Sequence, residues 1–361
     1  MAEQLAIIGF PSSGKTTVLR AACGLSSDQL PAAGELGEHV ATMKFAGDER
    51  LQWLAKLCDS AKIVPLSVEL RDFPGFDLST ELSRQRIRKT VAEVRQCELL
   101  VIVLRAFDNP SVPIYRDRID PAADLDELME EFVFADMDQL TRRIEKLESQ
   151  IKKPSPNRDR DQKELALLRR GLSALEAGQG LETIVQTTEE RTMLRGFTLL
   201  TQRPCVVIIN TDEDKLDRTW QLKSYPAVKS ILTAAAEYEQ QVHELPESDR
   251  QTFLSEVNIT ERLGDRLLKA ALDAVDTTIF YTAGEPETRA WPIPSGSRAV
   301  DAAGEIHSDL ARGFIRAETV HYDDLRACGS HKEARAQGKL RQEGKDYIVR
   351  DGDVILFKFN V

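Results

Sequence analysis

Short apolar runs with sharp polar ends recur along the first two thirds of the chain: Leu5–Ile8, Leu66–Leu70, Leu99–Leu104 and Val206–Ile209. Helix-like stretches separate them. A buried helix segment competes with a strand at any one of these runs, but their β-branched content favours strands. Alternation of buried strands with helices predicts an α/β fold, a parallel sheet covered on both faces.

The period changes between about Asp126 and Gly196. Leu140, Ile144, Leu147 and Ile151 recur at steps of four, three and four, and Leu165, Leu168, Leu172 and Leu175 form a second such series. Two apolar seams of this kind predict paired helices. The intervening KKPSPNRDRDQ reads as a polar turn broken by prolines. The expected result is an antiparallel helical hairpin inserted into the α/β domain, because the sheet-like run Cys205–Asn210 follows it. From about Ile279 glycines become frequent, and the chain ends in the alternating YIVRDGDVILFKFNV. Asp351-Gly352-Asp353 reads there as a turn between two short strands of a separate, β-rich or mixed domain.

Composition bounds this picture without changing it. At 361 residues the chain has room for two or three domains, and 42% hydrophobic residues can supply a buried core. A net charge of −11 argues against a surface coated by nucleic acid, though a local basic patch remains compatible. The five cysteines lack C-x-x-C spacing, so reduced thiols in a cytosol are expected rather than a disulfide scaffold or a zinc site. MAEQLAIIGF has neither the basic start nor the apolar length of a signal peptide, and no apolar run is long enough to span a bilayer. A soluble, cytoplasmic, monomeric protein is expected.

The segment Gly9-Phe10-Pro11-Ser12-Ser13-Gly14-Lys15-Thr16 matches G-x-x-x-x-G-K-[ST], between an apolar strand and a helical stretch, Thr17–Ala22. Glycines let such a backbone curl until its N–H groups face phosphate oxygens. In this motif the lysine reaches the β and γ phosphates and the hydroxyl ligates Mg²⁺, while the helix start adds its positive end. Pro11, Ser12, Ser13 and Thr17 complete the expected phosphate cradle. Asp72-Phe73-Pro74-Gly75 follows the strand Leu66–Leu70. There Asp72 suits a carboxylate holding magnesium beside Thr16, and Gly75 an N–H that senses the γ-phosphate. Asn210-Thr211-Asp212-Glu213 ends a later strand where GTPases place N-K-x-D. The guanine-reading aspartate is replaced by Glu213, which admits adenine beside guanine.

At these residues the chain resembles the YchF, or Obg-like, ATPases. N-x-x-E in place of N-K-x-D, an inserted hairpin and a glycine-bearing C-terminal module together carry the resemblance. ERTMLRGFTLLTQRPCVVIINTDED and EGKDYIVRDGDVILFKFNV are among the most similar stretches. The resemblance covers nearly the whole chain. It implies a Ras-like G domain over 1–125 and 203–278, a coiled-coil hairpin over 126–202, and a β-grasp (TGS) domain over 279–361. It also implies ATP preferred over GTP, hydrolysis to ADP, and association with ribosomes. Lys15 and Gly75 take the catalytic roles in this carry-over. Gly9, Gly14, Lys15 and Thr16 take phosphate and metal, Asp72 the magnesium entry, and Asn210 and Glu213 the base. Thr233–Glu237, with Ala234 and Ala235, resembles the remaining base-contacting loop. Phe76 stands where Ras-like GTPases hold a water-orienting glutamine; the family has a hydrophobic residue at that place, and Phe76 conforms. The chain departs from the family's pattern in three places. FDLSTELSRQR lacks the glycines expected after D-x-x-G, LPAAGELGEHV lacks a switch I threonine, and Ser12-Ser13 replaces Asn-Val.

Arg142–Arg170 holds ten Lys/Arg against five Asp/Glu, a local net of +5 on an acidic protein. Lys152, Lys153, Arg158, Arg160 and Lys163 at the hairpin tip suit either ribosomal RNA phosphates or a solvated coiled-coil surface. His307, His321 and His331 fit no metal-site spacing. The readings compared are a P-loop ATPase switch on translation, a nucleotide-sensing ribosome or RNA adaptor with little hydrolysis, and a GTP-binding protein.

Overall fold

The computed structural model describes residues 4–153 and 156–360. In chain order its elements are β1 (Gln4–Ile8), α1 (Lys15–Cys23), β2 (His39–Lys44), α2 (Glu49–Leu57), β3 (Ile63–Val64), β4 (Ser67–Asp72), α3 (Glu81–Val94) and β5 (Leu99–Arg105). Next come α4 (Pro121–Ile151), α5 (Arg158–Glu176), α6 (Thr188–Arg195), β6 (Cys205–Asn210), β7 (Val228–Ala234), α7 (Ala236–His243) and α8 (Glu247–Glu256). The remainder is α9 (Leu263–Ala274), β8 (Thr277–Ala283), β9 (Thr288–Pro294), α10 (Ala299–Ile306), α11 (Ser308–Arg312), β10 (Phe314–His321), α12 (Tyr322–Cys328), α13 (His331–Ala336), β11 (Arg341–Glu343) and β12 (Asp353–Phe359).

The chain divides into two compact units, residues 4–41 with 70–259, and residues 42–69 with 260 onward. The first is built on a sheet of order β2-β4-β1-β5-β6-β7, in which β1, β5, β6 and β7 pair in parallel. Every residue of β5 and β6 is buried, as expected of central parallel strands covered on both faces. Phe10, Phe73, Phe76, Leu100, Ile102 and Phe132 belong to the core beneath.

The predicted seams meet in α4 and α5. Leu140, Ile144 and Leu147 of α4 cluster with Leu167, Leu168 and Leu175 of α5. α4 starts at Pro121, earlier than the change of period suggested, because Asp120 caps it by accepting from the Ala122 and Ala123 N–H groups at 3.1 Å. Residues 154 and 155 of the expected proline turn lie outside the described residues. The middle of α4 is held by Asp136, which is fully buried. It accepts from the Leu200 and Thr201 N–H groups at 3.0 and 2.8 Å and pairs with Arg95 at 2.7 Å.

The second unit carries a mixed sheet of order β11-β10-β12-β8-β9-β3. β8 and β9 form an antiparallel hairpin, β12 runs parallel to β8, and β10 is antiparallel to β12. That order, with α10 following the first hairpin, is a β-grasp. Its sixth strand comes from far away in sequence, since Ile63 and Val64 of β3 pair in parallel with Thr288 and Arg289 of β9. The compact units therefore divide the chain differently from the linear boundaries expected, taking 42–69 and 260–278 together with the C-terminal segment. The alternating C-terminal run holds one strand, not two. Only Asp353–Phe359 joins the ladder, while Ile348 makes an isolated bridge with Arg298.

Candidate nucleotide site

The loop from Gly9 to Gly14 joins the buried end of β1 to the first turn of α1. Its conformation needs glycine at both ends. Gly9 has φ 154°, and an added Cβ would lie 2.4 Å from the Val103 carbonyl oxygen. Gly14 has φ 87°, and a Cβ there would meet the Asn210 Nδ2 at 2.1 Å. Ser12 sits at φ 61°, a left-handed position unusual for a side-chain-bearing residue. Inside the loop, the Lys15 ammonium (3.1 Å) and the Ser13 N–H (3.4 Å) both donate to the Phe10 carbonyl. Two donors thus converge on one acceptor at a helix N-terminus, an arrangement that favours an anion.

The Thr16 hydroxyl donates to Asp72 Oδ2 at 2.6 Å, bringing the end of β4 to the start of α1. Asp72 is 3% exposed, and its other oxygen, Oδ1, is buried without a hydrogen-bond partner. Lys15 is 8% exposed. Burial lowers the Lys15 pKa, and the Asp72 charge opposes that. Burial raises the Asp72 pKa, opposed first by Lys15 and then by the Thr16 hydrogen bond. Both shifts mark charges held in poor solvation beside each other, a pattern concentrated at functional sites. Gly75 lies against the loop: a Cβ there would come within 2.8 Å of the Pro11 nitrogen. The Phe76 N–H donates to the Gly9 carbonyl at 3.0 Å, and the Phe76 ring is 1% exposed in the core.

The third wall comes from the ends of β6 and β7. The Asn210 amide donates to the Ser13 carbonyl at 3.1 Å and accepts from the Ala236 N–H at 3.3 Å, which spends it on joining the two loops. The Thr211 hydroxyl is buried without a partner. Asp212 accepts from Lys215 at 2.6 Å, while Glu213 is exposed on the turn Glu213–Lys215. Ala234 is fully buried at the end of β7, and Ala235 reaches the cavity wall.

Together these walls enclose a cavity of about 320 Å³. Ser12, Gly14, Lys15, Thr16, Thr17, Asn210, Glu213 and Ala235 line it. Of the other expected residues, Gly9, Pro11, Ser13, Asp72, Gly75 and Ala234 are not among those that line it. The volume and the few convergent polar groups suit a nucleotide-sized ligand. Phe107, Asp108, Asn109 and Val112 line it too and were not singled out from the sequence. The available signal was position: the loop follows β5, beside β1, and ligands gather at the carboxyl ends of such strands. Among the described residues no three His, Cys, Asp or Glu side chains cluster to hold a metal. One hydroxyl and one carboxylate with an unused buried oxygen do fit magnesium, which takes few protein ligands and completes its shell with waters and ligand phosphates. No helix among the described residues is long and apolar enough to cross a membrane.

Comparison with known proteins places this geometry among relatives. Residues 278–360 match the family described as "YchF-GTPase_C: Protein of unknown function (DUF933)". The chain is 32% identical to the ribosome-binding ATPase YchF of Bacillus subtilis (strain 168), with 100% of both chains covered. It is 29% identical to Obg-like ATPase 1 of Oryza sativa subsp. japonica, over 99% of this chain and 92% of that one. Among solved structures, the Schizosaccharomyces pombe YchF GTPase superposes with a TM-score of 0.79 at 23% identity, covering 99% of this chain and 98% of that one. A GTP binding protein from Pyrococcus horikoshii OT3 gives 0.54 at 14% identity over 99% and 100%. These two share the fold.

Proposed function

The chain belongs to the YchF family, and on that premise we propose that it binds ATP with magnesium, hydrolyses it to ADP and phosphate, and acts as a ribosome-associated switch in the cytoplasm. Relatives named ribosome-binding ATPases support the nucleotide and the partner. The observation that carries the reading is the Thr16–Asp72 pair, 2.6 Å apart, with Asp72 Oδ1 unsatisfied beside a buried lysine at a helix start.

Gly9, Pro11, Ser12, Ser13, Gly14 and Thr17 form the phosphate cradle in this reading, and Lys15 stabilises charge on the transferring phosphoryl group. Thr16 and Asp72 hold the magnesium, which when bound supplies neutralisation of the phosphate oxygens. Gly75 offers its N–H to the γ-phosphate. Asn210, Glu213, Ala234 and Ala235 bound the base. By function, though not by compactness, 1–125 with 203–278 is the nucleotide domain, 126–202 the hairpin and 279–361 the TGS-like module.

Core packing of Phe76 leaves no side chain at that position to orient a water. This favours a second reading, a nucleotide-sensing adaptor whose turnover is negligible without a partner. Single-turnover hydrolysis of ATP and GTP, with and without ribosomes, separates the two. Ribosome-stimulated ADP formation that disappears in Lys15→Ala supports the switch; tight binding with no product supports the adaptor.

A further inference from the structure

Arg105 closes β5 with a guanidinium that is almost wholly buried, yet among the described residues no carboxylate forms an ion pair with it. Its donors go to five backbone carbonyls instead. Nη1 donates to Pro113 (2.8 Å) and Ser12 (3.4 Å), Nη2 to Val112 (3.1 Å) and Asn109 (3.5 Å), and Nε to Phe107 (3.3 Å). The guanidinium carbon also lies 4.4 Å from the centre of the Phe107 ring. Burial lowers its pKa, with Asp108 and Asp212 opposing. A buried cation is costly unless hydrogen bonds satisfy its donors. Arginine is the one side chain that brings five donors in a fixed fork.

Four of the five carbonyls belong to residues 107–113, the segment that forms the Phe107–Val112 wall of the cavity. The fifth belongs to the crest of the phosphate loop. A trans peptide is planar with its C=O and N–H opposed. Holding the Ser12 carbonyl on the Arg105 side therefore turns the Ser13 N–H toward the loop interior, where it meets the Phe10 carbonyl beside the Lys15 ammonium. Asn210 does the same for the next peptide through the Ser13 carbonyl, aiming the Gly14 N–H. The two anchors come from neighbouring parallel strands, Arg105 and Asn210 being paired in register.

We propose that Arg105 is a positioning residue of the nucleotide site, clipping the crest of the phosphate loop to the Phe107–Val112 wall so that the loop amides are aimed before a nucleoside polyphosphate arrives. Arg105 acts in this way only if the cavity is the nucleotide site proposed above. Aiming in advance removes an ordering cost from binding, and it also explains how Ser12 holds its left-handed backbone.

The test titrates ATP and ADP, with magnesium, into the full chain and its Arg105→Met and Arg105→Lys variants by calorimetry, with amide exchange followed by mass spectrometry on the free proteins. Arg105→Lys keeps the charge with three donors instead of five. The expected result is a roughly ten- to a hundredfold loss of affinity in Arg105→Met and a smaller loss in Arg105→Lys. Faster exchange is expected only over about residues 10–16 and 106–113. If Arg105→Met does not fold, the lysine variant decides: weaker ATP binding with exchange altered only in those two segments supports the clip. Affinity within twofold of the parent in the folded variants overturns it, as does exchange loosened evenly throughout. A parent chain that binds neither nucleotide overturns both this role and the nucleotide reading, whereas parent binding with indifferent variants overturns this role alone.

Discussion

Lys15 and Asp72 are each pushed toward neutrality by burial and held charged by one another. A phosphate beside the lysine and a cation on the carboxylate relieve both at once, which is the physical reason to expect binding of nucleotide and metal together. Thr16→Ala removes the hydroxyl that meets Asp72. Calorimetry with magnesium and with EDTA should show parent ATP affinity rising with the metal, and most of that rise, about tenfold, lost in the variant. The buried thiols give a second residue-scale expectation. Burial pushes Cys205 up to about 12 and Cys97 up to about 11, from an ordinary 9.0. Above pH 9 the unfolded chain therefore loses thiol protons that the folded chain keeps. Their contribution is intact below 9 and falls as pH rises through the folded values. Urea midpoints measured from pH 8 to 11 should decline, and less steeply in Cys97→Ala/Cys205→Ala.

At the scale of elements, the join between hairpin and sheet is the point to probe. Asp136→Ala strands the Arg95 guanidinium in a buried position, a cost of about 3–5 kcal/mol readable in the denaturation midpoint. Leu147→Ala should cost about 2–5 kcal/mol of local stability, seen as faster exchange within α4 and α5 while ATP affinity holds. The long seams that make this hairpin were legible because their apolar spacing persists over several turns. β1, β5 and β6 were legible because central parallel strands are apolar on both faces. β2 and β7 were not, since these edge strands bury only one side and carry exposed Lys44, Lys229 and Ile231 within them. β3 was invisible for another reason: two residues earn strand geometry only from a partner more than two hundred positions away. At the site, Gly9–Thr16 and Asp72–Gly75 could be read because their chemistry depends on contiguous spacing. Arg105 could not, because its role lies in backbone carbonyls gathered by the fold.

At the scale of the whole molecule, the chain is acidic at −11, while the stretch Arg142–Arg170 around the hairpin tip carries a net +5. Arg142, Arg143, Lys163, Arg169 and Arg170 are spent on ion pairs with Asp138, Glu164, Glu189, Glu148 and Glu190. Lys152, Lys153, Arg158 and Arg160 at the tip remain exposed, so they are the group available to an RNA surface. Reversing these four to glutamate should weaken ribosome co-sedimentation by about tenfold or more at moderate salt and flatten its salt dependence, leaving ATP affinity unchanged. All of this presupposes that the cavity takes ATP. Calorimetric titration of the purified chain with ATP and with GTP in magnesium buffer, beside Lys15→Ala, tests that most directly. The account predicts ATP binding tighter than GTP and abolished in the variant; heat of binding from neither nucleotide, or binding indifferent to Lys15, would contradict it.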